Sequence, residues 1–397
     1  MPSTLPPVLA AWLHDLDPVA LRMGPITIYW YGISYVLGFF LAYLLLRLMA
    51  RRGLTPIPGP LMGDVIVFGG IGGVIGGRLG YILLYEPALL TTFTKSFPFW
   101  QALNIAGGGM ASHGGFVGAL AGLALMGHLL RRRAKAENQP QLATVPTTHL
   151  LDLAAAAAPV GLLCGRLANF VNGELLGKVV AGPGEPAPWW AVRFPQEMLN
   201  RSRGGEISDD QWQAATEAVG MSLLELERPE GMERFWAAYG QLVSDLRAGS
   251  PEAANFMQGF LNARHPSQIY QAAVEGVLLL VALAIVWAKP RAAGVVGAWF
   301  LILYGLGRIA TEVYRLPDTQ FAVARPLGLS RGQWLSVGMV AAGVGLLAWV
   351  MVRAKRRRAN GESLPVFGGW LAPAFGPATA KPGDSHSGTN AKDNKPD

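Results

Sequence analysis

Seven apolar segments, each long enough to cross a bilayer as a helix, decide what this chain can fold into: 27–49, 61–85, 109–130, 149–171, 268–288, 294–314 and 333–352. A hydrocarbon core about 30 Å thick takes roughly 20 residues of helix. Inside it every backbone polar group needs an internal partner, which makes the helix the natural element for such segments. The expected class is an all-α polytopic membrane protein with about seven transmembrane helices. Composition agrees, since 51% of the 397 residues are hydrophobic and only 15% are charged, unlike a soluble domain.

Basic residues set the orientation. Arg51 and Arg52 follow the first span, and Arg131, Arg132, Arg133 and Lys135 follow the third. Lys289 and Arg291 follow the fifth, and Arg353, Lys355, Arg356, Arg357 and Arg358 follow the seventh. All four clusters fall on one side, which the positive-inside rule assigns to the cytoplasm, leaving the N-terminus outside and the C-terminus inside. The net charge of +7 follows from this bias and calls for no nucleic-acid partner. Residues 1–20 carry neither Lys nor Arg, so the basic region of a secretory signal is missing and the first span is expected to act as an uncleaved anchor. One cysteine, Cys164, excludes an intrachain disulfide framework and a cysteine-based metal site. It is expected to be a small packing residue, and no metal or other cofactor is expected.

The expected organisation is a periplasmic N-terminal arm (1–26), spans 1–4 (27–174), an external arm and head insertion (175–264), spans 5–7 (265–358) and a disordered cytoplasmic tail (359–397). Helical patterning over about 207–247, with Glu217, Glu225, Glu227, Glu230 and Glu233, predicts a small folded head. Trp189 and Trp190, between Pro183 and Pro195, suit an interfacial arm. The tail is rich in Gly, Pro, Lys and Asp and lacks the apolar residues of a core.

Polar residues interrupt this apolar pattern at Cys164-Gly165-Arg166-Leu167-Ala168-Asn169-Phe170-Val171-Asn172-Gly173-Glu174. A charge at a helix centre is disfavoured by roughly 2.5–3.5 kcal/mol on insertion scales and by default marks a functional site. Spans 4 and 6 are expected to carry the internal charges. Both run outward, so Arg166, Asn169, Asn172 and Glu174 fall at the outer end of one, and Tyr304, Arg308 and Glu312 at the outer end of the other. Tyr31 and His113 fall near the outer starts of spans 1 and 3. Tyr304, Arg308 and Glu312 are four residues apart in turn and share a helix face, as do Arg166 and Asn169. The bland alternative is an internal Arg308–Glu312 ion pair with Arg166 snorkelling to the interface.

Glycines every four residues from Gly69 to Gly77 predict close helix packing, without the context of a phosphate loop. Arg78, at the end of that run, is placed to join the same outer cavity. His113 stands in Gly107-Gly108-Gly109-Met110-Ala111-Ser112-His113-Gly114-Gly115, where it is either a satisfied structural residue or an imidazole able to take a proton near neutral pH. His265-Pro266-Ser267-Gln268 opens span 5 and is equally explained as helix-start chemistry.

At these residues the chain resembles the prolipoprotein diacylglyceryl transferase family. The matching pieces are Trp30-Tyr31-Gly32, Gly77-Arg78-Leu79-Gly80-Tyr81, Gly109-Met110 with His113-Gly114-Gly115, Gly165-Arg166 through Asn169-Phe170 to Asn172-Gly173-Glu174, His265-Pro266-Ser267-Gln268, and Gly307-Arg308 with Glu312, Arg315, Pro317 and Asp318. The resemblance implies a seven-span protein of the bacterial cytoplasmic (inner) membrane, its active site near the periplasmic leaflet. It implies transfer of a diacylglyceryl group from phosphatidylglycerol to the lipobox cysteine thiol of preprolipoprotein signal peptides, forming a thioether and releasing glycerol phosphate. Its partners would be those two substrates and the lipid bilayer. The catalytic candidates are His113, Arg166, Arg308 and Glu312. Arg166 and Arg308 would bind the departing phosphate, and His113 would take the thiol proton. Glu312 and Glu174 would orient the arginines, while Tyr31, Tyr304, Asn169 and Asn172 would hold the headgroup, with Arg78 as a further phosphatidylglycerol ligand.

Two departures stand out. Gln271 occupies a position where the family usually has Glu, and the loop from 178 to 264 is longer than usual. A transporter or flippase is the main rival class, because intramembrane charges also mark transport paths. Against it, the polar residues gather at one depth and no repeat relates the two halves. A non-catalytic scaffold leaves the buried arginines unexplained.

Overall fold

Among the described residues, seven helices are long and apolar enough to cross a membrane. The computed structural model describes residues 11–105, 108–203, 207–316, 328–362, 365–371 and 373–375. The helices are α1 (Trp30–Arg51), α2 (Met62–Tyr85), α3 (Ser112–Ala136), a short α4 (Pro140–Ala143), α5 (Thr147–Asn172), α6 (Asp209–Ala218), α7 (Pro229–Arg247) and α8 (Pro251–Phe260). Then α9 (Ser267–Gln271) continues through a π-helical stretch, Ala272–Leu278, into α10 (Leu279–Val286), and α11 (Val295–Glu312) and α12 (Arg331–Ala359) follow.

Each expected span is found, with informative differences at two ends. The first span starts only at Trp30, because β3 (Ile26–Tyr29) pairs in a hairpin with β2 (Val19–Met23). The last runs on to Ala359, and its final turn carries Arg356, Arg357 and Arg358, where positive charge favours a helix C-terminus. The chain divides into two compact units: Met1–Ala42, Ala154–Ile285 and Gly294–Arg353 form one, and Tyr43–Leu153, Val286–Ala293 and Ala354–Asp397 the other.

The first unit contains a small sheet that periodicity could not announce, because its strands are only two or three residues long. They are β1 (Trp12–Leu13), β4 (Val179–Ala181), β5 (Val192–Arg193) and β6 (Ala263–Arg264), in the order β1-β5-β6-β4, with β1 parallel to β5 and the other pairs antiparallel. The helical patterning expected over 207–247 is realised as α6 and α7, joined by α8. These helices enclose Trp212, Phe235, Tyr239, Met257 and Phe260 together with Leu13 and Met198. Ser208 and Gln211 form a capping box for α6, Ser250 caps α8, and Pro229 and Pro251 occupy first turns, each satisfying or removing an orphan N–H. In the spans, Cys164 is buried at the contact of α1 and α5, in keeping with a packing role.

In the second unit α2 and α3 meet along their glycines, as the spacing predicts. A Cβ at Gly72 would overlap the Gly118 carbonyl, and one at Gly114 the Gly76 carbonyl. Backbone contact of this kind replaces hydrophobic drive in lipid. It also explains the glycines after His113, which serve helix packing.

The expected disordered tail needs correction. Within 359–397, β8 (Val366–Gly368) pairs antiparallel with β7 (Pro290–Ala292). Phe367 is buried, its ring stacked on His149 at 3.8 Å, and the Trp287 indole donates to its carbonyl at 3.2 Å. Gly368 N–H donates to Leu54 and Phe375 N–H to Gly53. Gly368 has φ +89° against the face of Trp287, where no Cβ fits. Composition hid this because one aromatic anchor is enough to dock a polar segment. Residues 376–397 lie outside the described ones. Phe367→Ala is expected to destabilise the protein by about 3 kcal/mol, the lower end for such a core truncation, without altering the cluster described below. Thermal denaturation of purified protein measures it, and an unchanged midpoint would mean that the tail is not held.

Candidate functional site

Three membrane helices of the first unit bring their charges to one place. Arg166 lies near the C-terminal end of α5, Arg308 near that of α11, and Glu275 in the π-helical stretch of the fifth span. Glu275 is the centre. Arg166 donates from Nε and Nη2 to its Oε2 at 3.1 and 2.9 Å. Arg308 donates from Nη1 to Oε1 at 3.4 Å, and the Thr311 hydroxyl to the same oxygen at 3.3 Å. Arg308 Nη2 also faces Glu312 at 3.4 Å, and Arg315 Nη1 faces Glu312 at 3.7 Å.

Glycines make this convergence possible. A Cβ at Gly276 would press on Leu163 of α5 at 2.8 Å, and one at Gly307 on Val274 at 2.8 Å. The two glycines let α5 and α11 close on the fifth span on either side of Glu275. The π-helical turn widens the backbone at that carboxylate, a recurrent device at functional sites.

Spans 4 and 6 were expected to hold the internal charges, and the structure corrects this: the fifth span supplies the carboxylate that ties them together. The cost argument for charges in membrane helices applies equally to Glu275 and was the signal that could have found it. The second expected anchor, Glu174, has a different job. Its carboxylate accepts from Asn169 Nδ2 at 3.1 Å and Asn172 Nδ2 at 3.3 Å. Thus Glu275 and Glu312, not Glu174, orient the arginines.

Charge and burial decide what the cluster can do. Arg166 and Arg308 pair with Glu275, and Arg308 and Arg315 pair with Glu312. Glu275 has no exposed side-chain surface, whereas Arg166 and Arg308 keep 14% and 15% of theirs. The carboxylate therefore lies beneath, and the guanidiniums are the reachable groups. At 3.4 Å the Arg308 contacts are longer than the roughly 2.7–2.9 Å that charge-assisted bonds favour. Tyr304, stacked on Phe300 at 5.5 Å, interacts electrostatically with Glu275, Arg308 and Arg166.

Beside Asn172 and Glu174 is an open depression of about 640 Å³ whose other wall is Thr27, Ile28, Tyr29, Tyr31 and Gly32. That volume suits a small-molecule site. Tyr31 accepts from the Tyr35 hydroxyl at 3.3 Å. Gly173, at φ +65° against the Gln196 side chain, and Leu175, at φ +55°, turn the chain after α5. The His265 to Gln268 motif secures that turn: Ser267 Oγ donates to the Leu175 carbonyl at 2.8 Å, and Gln268 Nε2 donates to that of Glu174. His265 stacks on Trp190 at 5.1 Å. Burial, with the charge of Lys178, holds the pKa of its imidazole below the ordinary value. The N-terminal arm is pinned nearby, where His14 Nε2 donates to the Phe170 carbonyl at 2.8 Å and burial lowers its pKa to about 4. Gln271 is fully buried and its amide has no partner among the described residues, so Glu275 alone supplies a carboxylate on this span.

Arg78 and His113 belong to the second unit. Arg78 does not present a free guanidinium. It donates to the carbonyls of Ala102 at 2.8 Å, Gly108 at 2.7 Å, Gly109 at 3.0 Å and Gln101 at 2.6 Å, so its fork organises the loop before α3. Gly109, at φ +80°, lies so close to Arg78 and Tyr81 that a Cβ has no room. His113 is in the first turn of α3, partly exposed, its ring 6.1 Å from that of Tyr85. Pro317 and Asp318 lie outside the described residues.

Seven helices long and apolar enough to cross a membrane, three of which gather guanidiniums on a buried carboxylate, define a polytopic membrane protein. Residues 18–349 match the family described as prolipoprotein diacylglyceryl transferase. A protein of Bdellovibrio bacteriovorus named phosphatidylglycerol--prolipoprotein diacylglyceryl transferase is 36% identical over 351 residues, 86% of this chain and 94% of that one. Proteins of the same name from Chromobacterium violaceum and Paraburkholderia xenovorans are 35% and 33% identical, over 84% and 88% of this chain and 96% and 98% of their own lengths. The chain belongs to the prolipoprotein diacylglyceryl transferase family and is a membrane transferase.

Proposed function

We propose that this enzyme moves the diacylglyceryl group of phosphatidylglycerol to the lipobox cysteine of a preprolipoprotein, the first step of bacterial lipoprotein maturation. The observation that carries this reading is the pair of guanidiniums, Arg166 and Arg308, held on the fully buried carboxylate of Glu275. A phosphodiester brings a negative charge on planar-spaced oxygens, the group that guanidinium forks bind. In the reaction the acceptor thiolate forms a bond to the terminal glyceryl carbon, and that carbon's bond to oxygen breaks. The electron pair leaves on the phosphate, so glycerol phosphate departs with a second negative charge. Arg166 and Arg308 then bind more tightly in the transition state than in the ground state, which is the condition for lowering the barrier. Glu312 restrains Arg308, and Tyr31, Asn169, Asn172, Glu174 and Tyr304 hold the glycerol headgroup. The test is incubation of purified protein with phosphatidylglycerol and a lipobox peptide. Mass spectrometry should find the peptide heavier by one diacylglyceryl group and a cysteine-to-serine peptide unmodified. Folded protein that yields no such product refutes the assignment.

The thiol proton goes to His113, a role proposed from imidazole chemistry near neutral pH. His113→Ala is expected to lose about a hundred-fold in turnover, within the usual range for removing a general base, while the protein inserts normally. Near-normal turnover of folded mutant protein removes His113 from the mechanism.

The site faces the periplasmic leaflet of the inner membrane, a reading supported by the basic ends of α1, α3 and α12. A cysteine at position 217 should react with a membrane-impermeant thiol reagent added outside spheroplasts, and one at position 136 should not. Labelling at 136 alone reverses the orientation.

A further inference from the structure

The connection between α2 and α3 contains an ordered element to which the proposed reaction assigns no role. Residues 92–101 form a small hairpin in which Thr94 N–H donates to the Phe99 carbonyl at 2.7 Å and Gln101 N–H to that of Thr92 at 3.0 Å. Phe93 and Trp100 bridge its strands with stacked rings 6.2 Å apart. The base is fixed twice: Trp100 Nε1 donates to the Leu90 carbonyl at 3.0 Å, and Arg78 donates to the carbonyls of Gln101 and Ala102. This ordered element displays its aromatics outward. Phe93 is 70% exposed, Phe97 86% and Phe99 58%. Three phenylalanines held out by a rigid scaffold form an apolar patch that needs a cover.

We infer that this hairpin is a lipid-binding element whose tip, Phe97 and Phe99, enters the boundary between headgroups and acyl chains at the end of the bilayer where α2 stops and α3 starts. Two observations favour lipid over a protein partner. The hairpin follows within ten residues the end of α2, a helix long and apolar enough to cross a membrane, whose last turns expose Leu79, Leu83, Leu84 and Tyr85. Lys95, exposed at the tip between Phe93 and Phe97, is the sole charge of the hairpin, and a cation at headgroup depth is drawn to anionic lipid. Aromatic rings and lysine are the side chains that settle at this depth. The inference rests on the membrane-spanning fold and not on the proposed reaction.

The test uses the full-length protein with Cys164→Ala in vesicles of phosphatidylglycerol and phosphatidylethanolamine. A nitroxide is attached through Phe97→Cys, or through Asp210→Cys on α6 as an aqueous reference, and collision rates with oxygen and with a water-soluble nickel chelate are measured by electron paramagnetic resonance. The ratio of oxygen to nickel collisions should be several-fold higher at 97 than at 210. Equal ratios overturn the inference. In a second arm the nitroxide is placed through Lys95→Cys with and without Phe97→Asp and Phe99→Asp. Loss of the two rings should shift the label toward the aqueous ratio, and an unchanged lipid-like ratio shows that the aromatics do not place the hairpin, which also overturns it. Transfer activity enters neither arm, so failure of the assigned reaction leaves this result standing.

Discussion

Arg166→Ala and Arg308→Ala are each expected to lower turnover per folded molecule by about a hundred-fold. In the proposed reaction each substitution removes at least one charge-assisted hydrogen bond to a phosphate that is gaining charge, worth roughly 1.5–3 kcal/mol, and each 1.36 kcal/mol is about ten-fold in rate. The loss should fall on turnover more than on lipid affinity, because the interaction grows as the carbon–oxygen bond breaks. Folding should suffer less, since Glu275 keeps one guanidinium partner in either variant. Turnover and the fraction of monodisperse protein are measured side by side. A fall in folded fraction with unchanged turnover would reduce the arginines to structural ion-pair partners.

Glu275→Ala should do the opposite and damage folding first. Its carboxylate is fully buried and accepts from Arg166, Arg308 and Thr311. Removing it leaves two mostly buried cations without their shared anion, a change that costs about 3–5 kcal/mol for a broken buried pair. Glu275→Gln retains an acceptor of nearly the same shape but not the charge. It is expected to yield more folded protein than the alanine variant, with turnover reduced at least about ten-fold, because the guanidiniums lose the group that aims them. Size-exclusion profiles and turnover of the two variants separate these effects. Normal turnover in Glu275→Gln would show that shape, not charge, is what Glu275 contributes.

How much of this was legible in the sequence differs from residue to residue. The spans were, because twenty apolar residues in a row have few other uses and their ends are marked by charge. Tyr304, Arg308 and Glu312 could be placed on one face because helical spacing is local and periodic. Glu275 escaped notice as a single carboxylate in an apolar run. Its importance depends on three helices distant in sequence, on the contacts at Gly276 and Gly307, and on a π-helical turn, none of which leaves a local pattern. Arg78 shows the reverse difficulty. Its depth was readable, but its partners are carbonyls of residues 101–109, and backbone acceptors carry no side-chain signature. The strands of the small sheet are too short for alternation to register, and the docking of Phe367 turns on one residue within a polar tail.

The proposed role of Arg166 and Arg308 requires two guanidinium forks, and not merely two positive charges, on the phosphate of the leaving group. Lysine keeps the charge and loses the planar pair of donors that binds two oxygens at once. The decisive measurement is therefore thioether formation per folded molecule in Arg166→Lys and Arg308→Lys, followed by mass spectrometry with phosphatidylglycerol and a lipobox peptide. The expected result is a loss of at least about ten-fold in each, the equivalent of one hydrogen bond to a charged group. Wild-type turnover in both lysine variants would rule out a two-oxygen grip by these arginines.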